Sequence, residues 1–348
     1  MEPEVILEGN YSTFGDTEII AGMSIPPFSN TTQINFTVSE LEKLAIDRIR
    51  IVVDWRNREP EEGNYYWDPM DERMNAAEDN GLSVLLTIAS VCPDWAVLPL
   101  NDDNACLFDE DAFDLFVDTL LLRYPGIDKI QFGNEWEAGT EEGTTYTNET
   151  SVRKFVDYTN ILYNSVRELS PETNVVLGGL TRTFPIVEYY LNEGLYPDLS
   201  EIDLKKSVTI EDMNSRLDRL KTNYDSKNIK QNIDYVFENA RYDMIDIHLY
   251  DDPENWADYL SVLPKDKPII VSEFGGPNSE FENTDPDYHA ERMEDYIDAI
   301  EALPIIEAYY FKLVESPASY HQDSGLFFGN LGMKPARNAF ANRLSPRE

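Results

Sequence analysis

Eight short runs of apolar and β-branched residues recur along this chain, each separated from the next by a stretch with helical spacing. They cover residues 18–25, 48–55, 82–90, 128–135, 174–180, 242–250, 267–275 and 306–315. Runs of this kind, apolar on both sides, suit strands of a parallel sheet covered on both faces. Helical patterns fall at 38–46, 68–81, 109–124, 151–171, 287–303 and 334–344. The second of these stops at a glycine, and the third carries acids in its first turn, where they favour the helix dipole. Eight strands alternating with helices predict a (β/α)8 TIM barrel. The rival is a doubly wound open sheet, but no GxGxxG phosphate loop follows the first run. A chain of 348 residues fits one such barrel. Residues 1–348 therefore read as a single domain, with 197–240 as a helical or loop insertion between strands five and six.

The charge balance limits the partners. Sixty-six acidic residues face 28 basic ones, for a formal net charge of −38. A surface of that sign repels nucleic acid and anionic lipid, so neither is an expected partner. The acids are spread along the whole chain rather than gathered in a tail. The excess exceeds what solubility needs and favours a solvation shell suited to high salt over an ordinary acidic secreted protein. No apolar run approaches the ~20 residues of a membrane span. The N-terminus lacks the basic and apolar regions of a signal peptide. The expected location is nevertheless secreted or extracellular, with a signal absent from this chain and the cytoplasm left open. Cys92 and Cys106 are too few for a disulfide framework. They bound a 15-residue segment after strand three and could form a bridge or remain two thiols. Three histidines and no CxxC cluster argue against zinc chemistry, and no metal or cofactor is expected.

In a barrel, chemistry gathers at the C-terminal strand ends. Strand four ends in "FGNEWE", which puts Asn134, Glu135, Trp136 and Glu137 together where an apolar strand stops. A carboxylate there is costly unless it is solvated, paired or in use. Strand seven, "IIVSEFG", ends with Glu273. Strands four and seven face one another across a barrel, so Glu135 and Glu273 can meet in the central space. Two carboxylates are the minimum set for glycoside hydrolysis, one protonated and one ionised.

These two motifs, in this order within an eight-strand count, resemble the signature of clan A glycoside hydrolases, the group that includes families five and thirty-nine. Residues 55–88, the "PDWA" segment at 93–96 and the ending at 324–340 are similar to the corresponding stretches of such enzymes, so the likeness covers most of the chain. The resemblance implies a retaining enzyme in which Glu135 is the general acid/base and Glu273 the nucleophile. It implies that Asn134 bonds the sugar 2-OH and that Arg50 holds the nucleophile ionised. "HLY" at the end of strand six matches a His-x-Tyr pattern. Tyr250 would then donate to Glu273, and His248 would line the sugar site.

Sugars stack on indole rings, so tryptophans after strand ends are candidate subsite residues. Trp55, Trp95 and Trp136 follow strands two, three and four, and Trp256 lies after strand six. Trp67 precedes a helix and reads as packing. The pattern departs from the family at strand eight, where many relatives carry a tryptophan beneath the reacting sugar. Here "AYYFKLVES" puts Phe311 and Lys312 in that region. Either an aromatic from elsewhere fills the floor or the subsite differs, and Lys312 is a candidate contact to a sugar hydroxyl or carboxylate. The function expected is double-displacement hydrolysis of β-glycosidic bonds in an oligo- or polysaccharide. The alternatives are a transglycosylase with the same residues and a silent carbohydrate-binding barrel.

Overall fold

The structure, a computed structural model, describes residues 11–99, 105–137, 145–317 and 321–347. The N-terminal segment on which the signal-peptide reading falls lies outside these residues. Among the described residues, ten strands form one sheet: β1 (Tyr11–Phe14), β2 (Ile20–Ile25), β3 (Arg48–Val53), β4 (Ser83–Ile88), β5 (Lys129–Asn134), β6 (Asn174–Leu180), β7 (Met244–Tyr250), β8 (Ile269–Gly275), β9 (Glu307–Lys312) and β10 (Leu344–Arg347). Strands β2 to β9 are parallel, each pairing with the next. β9 returns to β2, with Ile20 opposite Glu307 and Ile25 opposite Lys312. The eight predicted strands thus close into the (β/α)8 barrel.

Two short strands lie outside the sequence pattern. β1 and β10 pair antiparallel, from Tyr11 opposite Arg347 to Phe14 opposite Leu344, and β1 joins the start of β2 at Thr13. Four residues of mixed polarity give too short a pattern to read. The first helix also begins earlier than its apolar spacing suggests, at Thr31–Leu44. Its opening turns, "TTQINFT", are weak helix formers. The start is set by Asn30, whose side chain accepts from the Gln33 N–H at 3.1 Å. Within 197–240, helices span Ile210–Ser226 and Ile229–Asn239, the first opened by a capping box between Thr209 and Asp212. No helix among the described residues is long and apolar enough to cross a membrane.

The barrel interior is layered. At the N-terminal strand ends, Lys129 Nζ meets Glu307 Oε1 at 2.8 Å, and Tyr309 donates to Glu307 Oε2 at 2.8 Å. Arg48 Nε lies 3.5 Å from the same carboxylate. Above this buried ion cluster, Leu85, Val176, Ile270 and Tyr309 pack together inside the barrel. The larger core lies between sheet and helices. With the lower barrel filled by side chains, the polar groups of the upper strand ends are left to one another, where Arg50, Asn134, His248, Tyr250 and Glu273 are joined by hydrogen bonds and close contacts. Cys92 and Cys106 are joined, with Cα atoms 6.1 Å apart, inside the range a bridge spans. The bridge ties down the segment that follows β4.

Candidate active site

Side chains along a strand alternate faces, so Asp246, His248 and Tyr250 share one side of β7. On β8 the pairing with β9 shifts between Val271 and Phe274. Ser272 and Glu273, although successive, both engage partners inside the barrel. Ser272 bonds to Asp246, while Glu273 bonds to Arg50 and Tyr250. Arg50 comes from the middle of β3 and is buried.

The Arg50 guanidinium holds the two sides of the site together. Nη1 donates to Glu273 Oε1, Nη2 to Asn134 Oδ1 at 2.5 Å, and Nε to Thr87 Oγ1 at 2.8 Å. Tyr250 donates its hydroxyl to the other oxygen of Glu273. Burial alone would raise the Glu273 carboxyl. The positive charges of His248 and Arg50, with the bonds from Tyr250 and Arg50, outweigh that and hold it below the ordinary carboxylate value. Burial, next to the Glu273 charge, pushes the Tyr250 hydroxyl far above its usual range, so it stays a donor.

Glu135 sits one residue past the end of β5 with φ +49°, a left-handed conformation uncommon for a residue with a Cβ. Its N–H donates to the Gly179 carbonyl at 2.8 Å. Its side chain keeps 33 % exposure, whereas that of Glu273 keeps 8 %. The two differ in surroundings as well as in access. His248 lies between them, with Nδ1 at 3.0 Å from Glu135 Oε1 and 3.6 Å from Glu273 Oε2. One oxygen of each glutamate and a nitrogen of His248 lie within 4.8 Å of one another. Burial would lower His248, but the Glu273 charge, the Glu135 bond and the Asp246 charge push it up to about 9. Gly179 makes room for the ring: a Cβ there would come within 2.3 Å of His248 Nε2.

The structure brings Arg50, Asn134, Glu135, His248, Tyr250 and Glu273 into one cluster. It does not bring all the tryptophans with them. Trp55 is buried against Trp95, Phe108, Phe113 and Phe116, and its Nε1 donates to Glu59 at 2.7 Å. Trp136 is fully buried and stacked on Phe155, with ring centroids 4.5 Å apart. Trp256 is buried against Tyr296. These three are packing groups, so the cleft reading of Trp55, Trp136 and Trp256 is corrected. Trp95 is half-buried, edge-on to Trp55, and donates to the Glu59 carbonyl at 2.9 Å. Trp67 stacks between Tyr65 and Phe116, as packing.

At β9, Lys312 is buried, with Nζ 3.5 Å from the carbonyls of Ser316 and His321. It acts on the loop that carries His321, a residue that no motif or spacing singles out. The His321 ring stacks on Tyr250 at 4.0 Å and 15°, and Phe311 packs edge-on to the same tyrosine at 5.3 Å. An aromatic from the loop after β9 thus covers the residue that holds Glu273. Asp246 and Ser272 also belong to the site and fall outside the motifs. Period-two spacing with His248 and the position beside Glu273 are the signals that could have found them. Glu137, two residues past Glu135, is fully buried and accepts from both N and Oγ1 of Thr181. Burial pushes its carboxyl up to about 7.

A barrel whose strand ends bring two carboxylates together has the minimum set of groups for glycoside hydrolysis. The sequence profile of cellulase (glycosyl hydrolase family 5) matches residues 12–311, and the chain belongs to that family. No curated protein matches the chain. Solved structures share the fold at low identity. An exo-β-1,4-mannosidase, Op5Man5, from Opitutaceae bacterium strain TAV5 is 14 % identical with a TM-score of 0.60, over 97 % of this chain and 61 % of that one. A family 39 glycoside hydrolase from Bacteroides cellulosilyticus WH2 is 14 % identical with a TM-score of 0.56, over 92 % and 62 %. A β-glucosidase from Exiguobacterium marinum is 14 % identical with a TM-score of 0.60, over 94 % and 97 %. The chain thus spans about three fifths of the length of the first two.

Proposed function

We propose that the chain is a retaining β-glycoside hydrolase with Glu273 as nucleophile and Glu135 as general acid/base. The observation that carries this reading is the close approach of two unlike carboxylates, one oxygen of each lying within 4.8 Å of the other, which supports the shorter of two possible spacings between the groups. Retaining enzymes hold their carboxyl groups ~5–5.5 Å apart, whereas inverting enzymes need ~6.5–9.5 Å to admit a water. The low Glu273 carboxyl stays ionised and attacks C1 of the sugar. As the C1–O bond breaks, Glu135 gives its proton to the leaving oxygen, and an alcohol departs. Glu135, now ionised, takes a proton from water. The resulting hydroxide attacks C1 and expels Glu273, which restores both groups. In this scheme Asn134, held by Arg50, bonds the sugar 2-OH. Two successive inversions at C1 leave the product with the anomer it began with.

The substrate is a carbohydrate, and no charge on it is required for this step. The Cys92–Cys106 bridge supports a chain that works outside the cytosol, since disulfides persist in oxidising compartments. The test is a screen of aryl β-glucosides, β-mannosides and the matching oligosaccharides with product analysis. Release of the free sugar by the wild-type chain, and none by Glu273→Ala with an unchanged melting curve, is the expected result. Near-normal turnover in Glu273→Ala would end the nucleophile assignment. Longer oligosaccharides among the products would mark transglycosylation. Bound but uncleaved sugar throughout the screen would mark a silent binding barrel.

A further inference from the structure

Beneath His248 lies a hydrogen-bonded chain that the double-displacement scheme leaves without a role. The Ser272 N–H donates to Asp246 Oδ1 at 2.8 Å, and the Ser272 hydroxyl donates to Asp246 Oδ2 at 2.6 Å. With its amide turned to satisfy both ends, Gln131 donates to the same Oδ2 at 3.2 Å and accepts from Thr87 and Arg50. Asp246 and Ser272 are both fully buried. Both Asp246 oxygens therefore act as acceptors, and the single hydroxyl hydrogen of Ser272 is already committed. What Ser272 can still offer is a lone pair. His248 Nε2 lies 3.2 Å from that hydroxyl, so the nitrogen facing it must carry the hydrogen.

The consequence falls on the other side of the ring. With one hydrogen fixed on Nε2, Nδ1 has a lone pair to share, and Glu135 Oε1 stands 3.0 Å away. We propose that Asp246 and Ser272 are positioning residues that lock the hydrogen of His248 on Nε2, so that Nδ1 and Glu135 Oε1 hold one proton between them. That proton is the one given to the leaving oxygen. This inference rests on the assignment of Glu135 as the acid. The proton sits on Nδ1 in the empty site and on Oε1 when the glycosidic oxygen arrives to take it. No atom is gained or lost in the exchange: the N–H bond breaks as the O–H bond forms.

The charged and titratable groups that face His248 are Glu135 beyond β5, Glu273 on β8 and Asp246 on its own strand. Arg50 and Tyr250 are bonded to Glu273, and Arg50 also reaches Asp246 through Gln131. All three facing groups are carboxylates and favour keeping the proton, in line with a ring pushed up to about 9. An acid supplied in this way should remain available to that pH and be lost above it.

The test is Asp246→Asn, a change of one atom in a site that keeps its shape. The Ser272 N–H still needs an acceptor, so the amide oxygen of the new side chain faces it and the NH2 group takes the place of Oδ2. Gln131 can turn its amide to meet it. The Ser272 hydroxyl then accepts from that NH2 group and donates to His248 Nε2. The ring hydrogen moves to Nδ1, where it is a fixed donor to Glu135, and the shared proton is gone. Kinetically, kcat/KM for an unactivated β-disaccharide should fall ~100-fold or more, the lower range of general acid catalysis. With 2,4-dinitrophenyl β-glycosides, whose leaving group needs no proton, it should stay within a few-fold of wild type. Equal losses on both substrates would show a structural role only, and no loss on either would remove the role altogether. Both results overturn the proposal.

A second readout does not depend on turnover. Nitrogen NMR of 15N-histidine-labelled protein above the His248 pKa should show hydrogen on Nε2 in the wild type and on Nδ1 in Asp246→Asn. Hydrogen on Nδ1 in the wild type would refute the lock, whatever the enzyme hydrolyses. A wild type with the expected tautomer but no activity on any glycoside would instead count against the assignment of Glu135 as the acid.

Discussion

Replacing Tyr250 with phenylalanine removes one oxygen from the site and little else. The ring keeps its stack under His321 and its edge contact with Phe311. What is lost is the hydroxyl bond to Glu273 Oε2. Arg50 still holds Oε1, so the carboxylate is left half satisfied rather than stripped. A hydrogen bond to a charged group contributes ~1.5–3 kcal/mol. At ~1.36 kcal/mol per pKa unit, its loss should raise the Glu273 carboxyl by about one to two units. As the proposed nucleophile, Glu273 has to be ionised to attack, and its carboxyl lies below the ordinary value in the intact site. Wild-type activity should therefore persist as pH falls until that low value is reached. In Tyr250→Phe the acid limb of kcat/KM should move up by about one to two pH units. The assay is hydrolysis of a 4-nitrophenyl β-glycoside across the acid range, with melting curves to confirm the fold. An acid limb that superimposes on the wild type's would refute the claim that Tyr250 holds the nucleophile ionised.

Two further outcomes follow from charge and covalent structure. At a net charge of −38, repulsion among surface acids opposes the compact state, and the Debye length shrinks from ~10 Å at 0.1 M to ~3 Å at 1 M salt. The melting temperature should rise from low to molar NaCl with activity retained, and a steady fall would show that the ion pairs outweigh the repulsion. Cys106→Ser should destabilise the fold by ~3 kcal/mol in the chain-entropy picture, read by denaturant unfolding, and two titratable thiols in the unreduced wild type would remove the bridge.

In the candidate site, Asn134, Glu135 and Glu273 were legible because they close apolar runs whose place in a barrel follows from their order. Arg50, in mid-strand, and His248 and Tyr250 were singled out by the resemblance to clan A enzymes, not by spacing. The tryptophans were not legible in the same way, because direction just past a strand depends on local backbone. Asp54 caps a short helix, Trp55–Arg58, and that turn sends the Trp55 indole into the aromatic core. The left-handed turn at Glu135 likewise leaves the carboxylate against His248, while Trp136 stacks on Phe155. His321 lies in a loop with no periodicity, and only tertiary contact sets it on Tyr250. The β1–β10 pairing joins the two ends of the described chain, a separation that no local pattern records.

The central claim is that Glu273 becomes covalently bonded to the sugar. A 2-deoxy-2-fluoro β-glycoside with a dinitrophenyl leaving group, built on whichever sugar the screen shows to be cleaved, slows the second step and traps the intermediate. Digestion and mass spectrometry of the inactivated protein should find one sugar per chain, on the peptide containing Glu273. A label on any other residue, or hydrolysis that inverts the anomer with no label at all, would contradict the account.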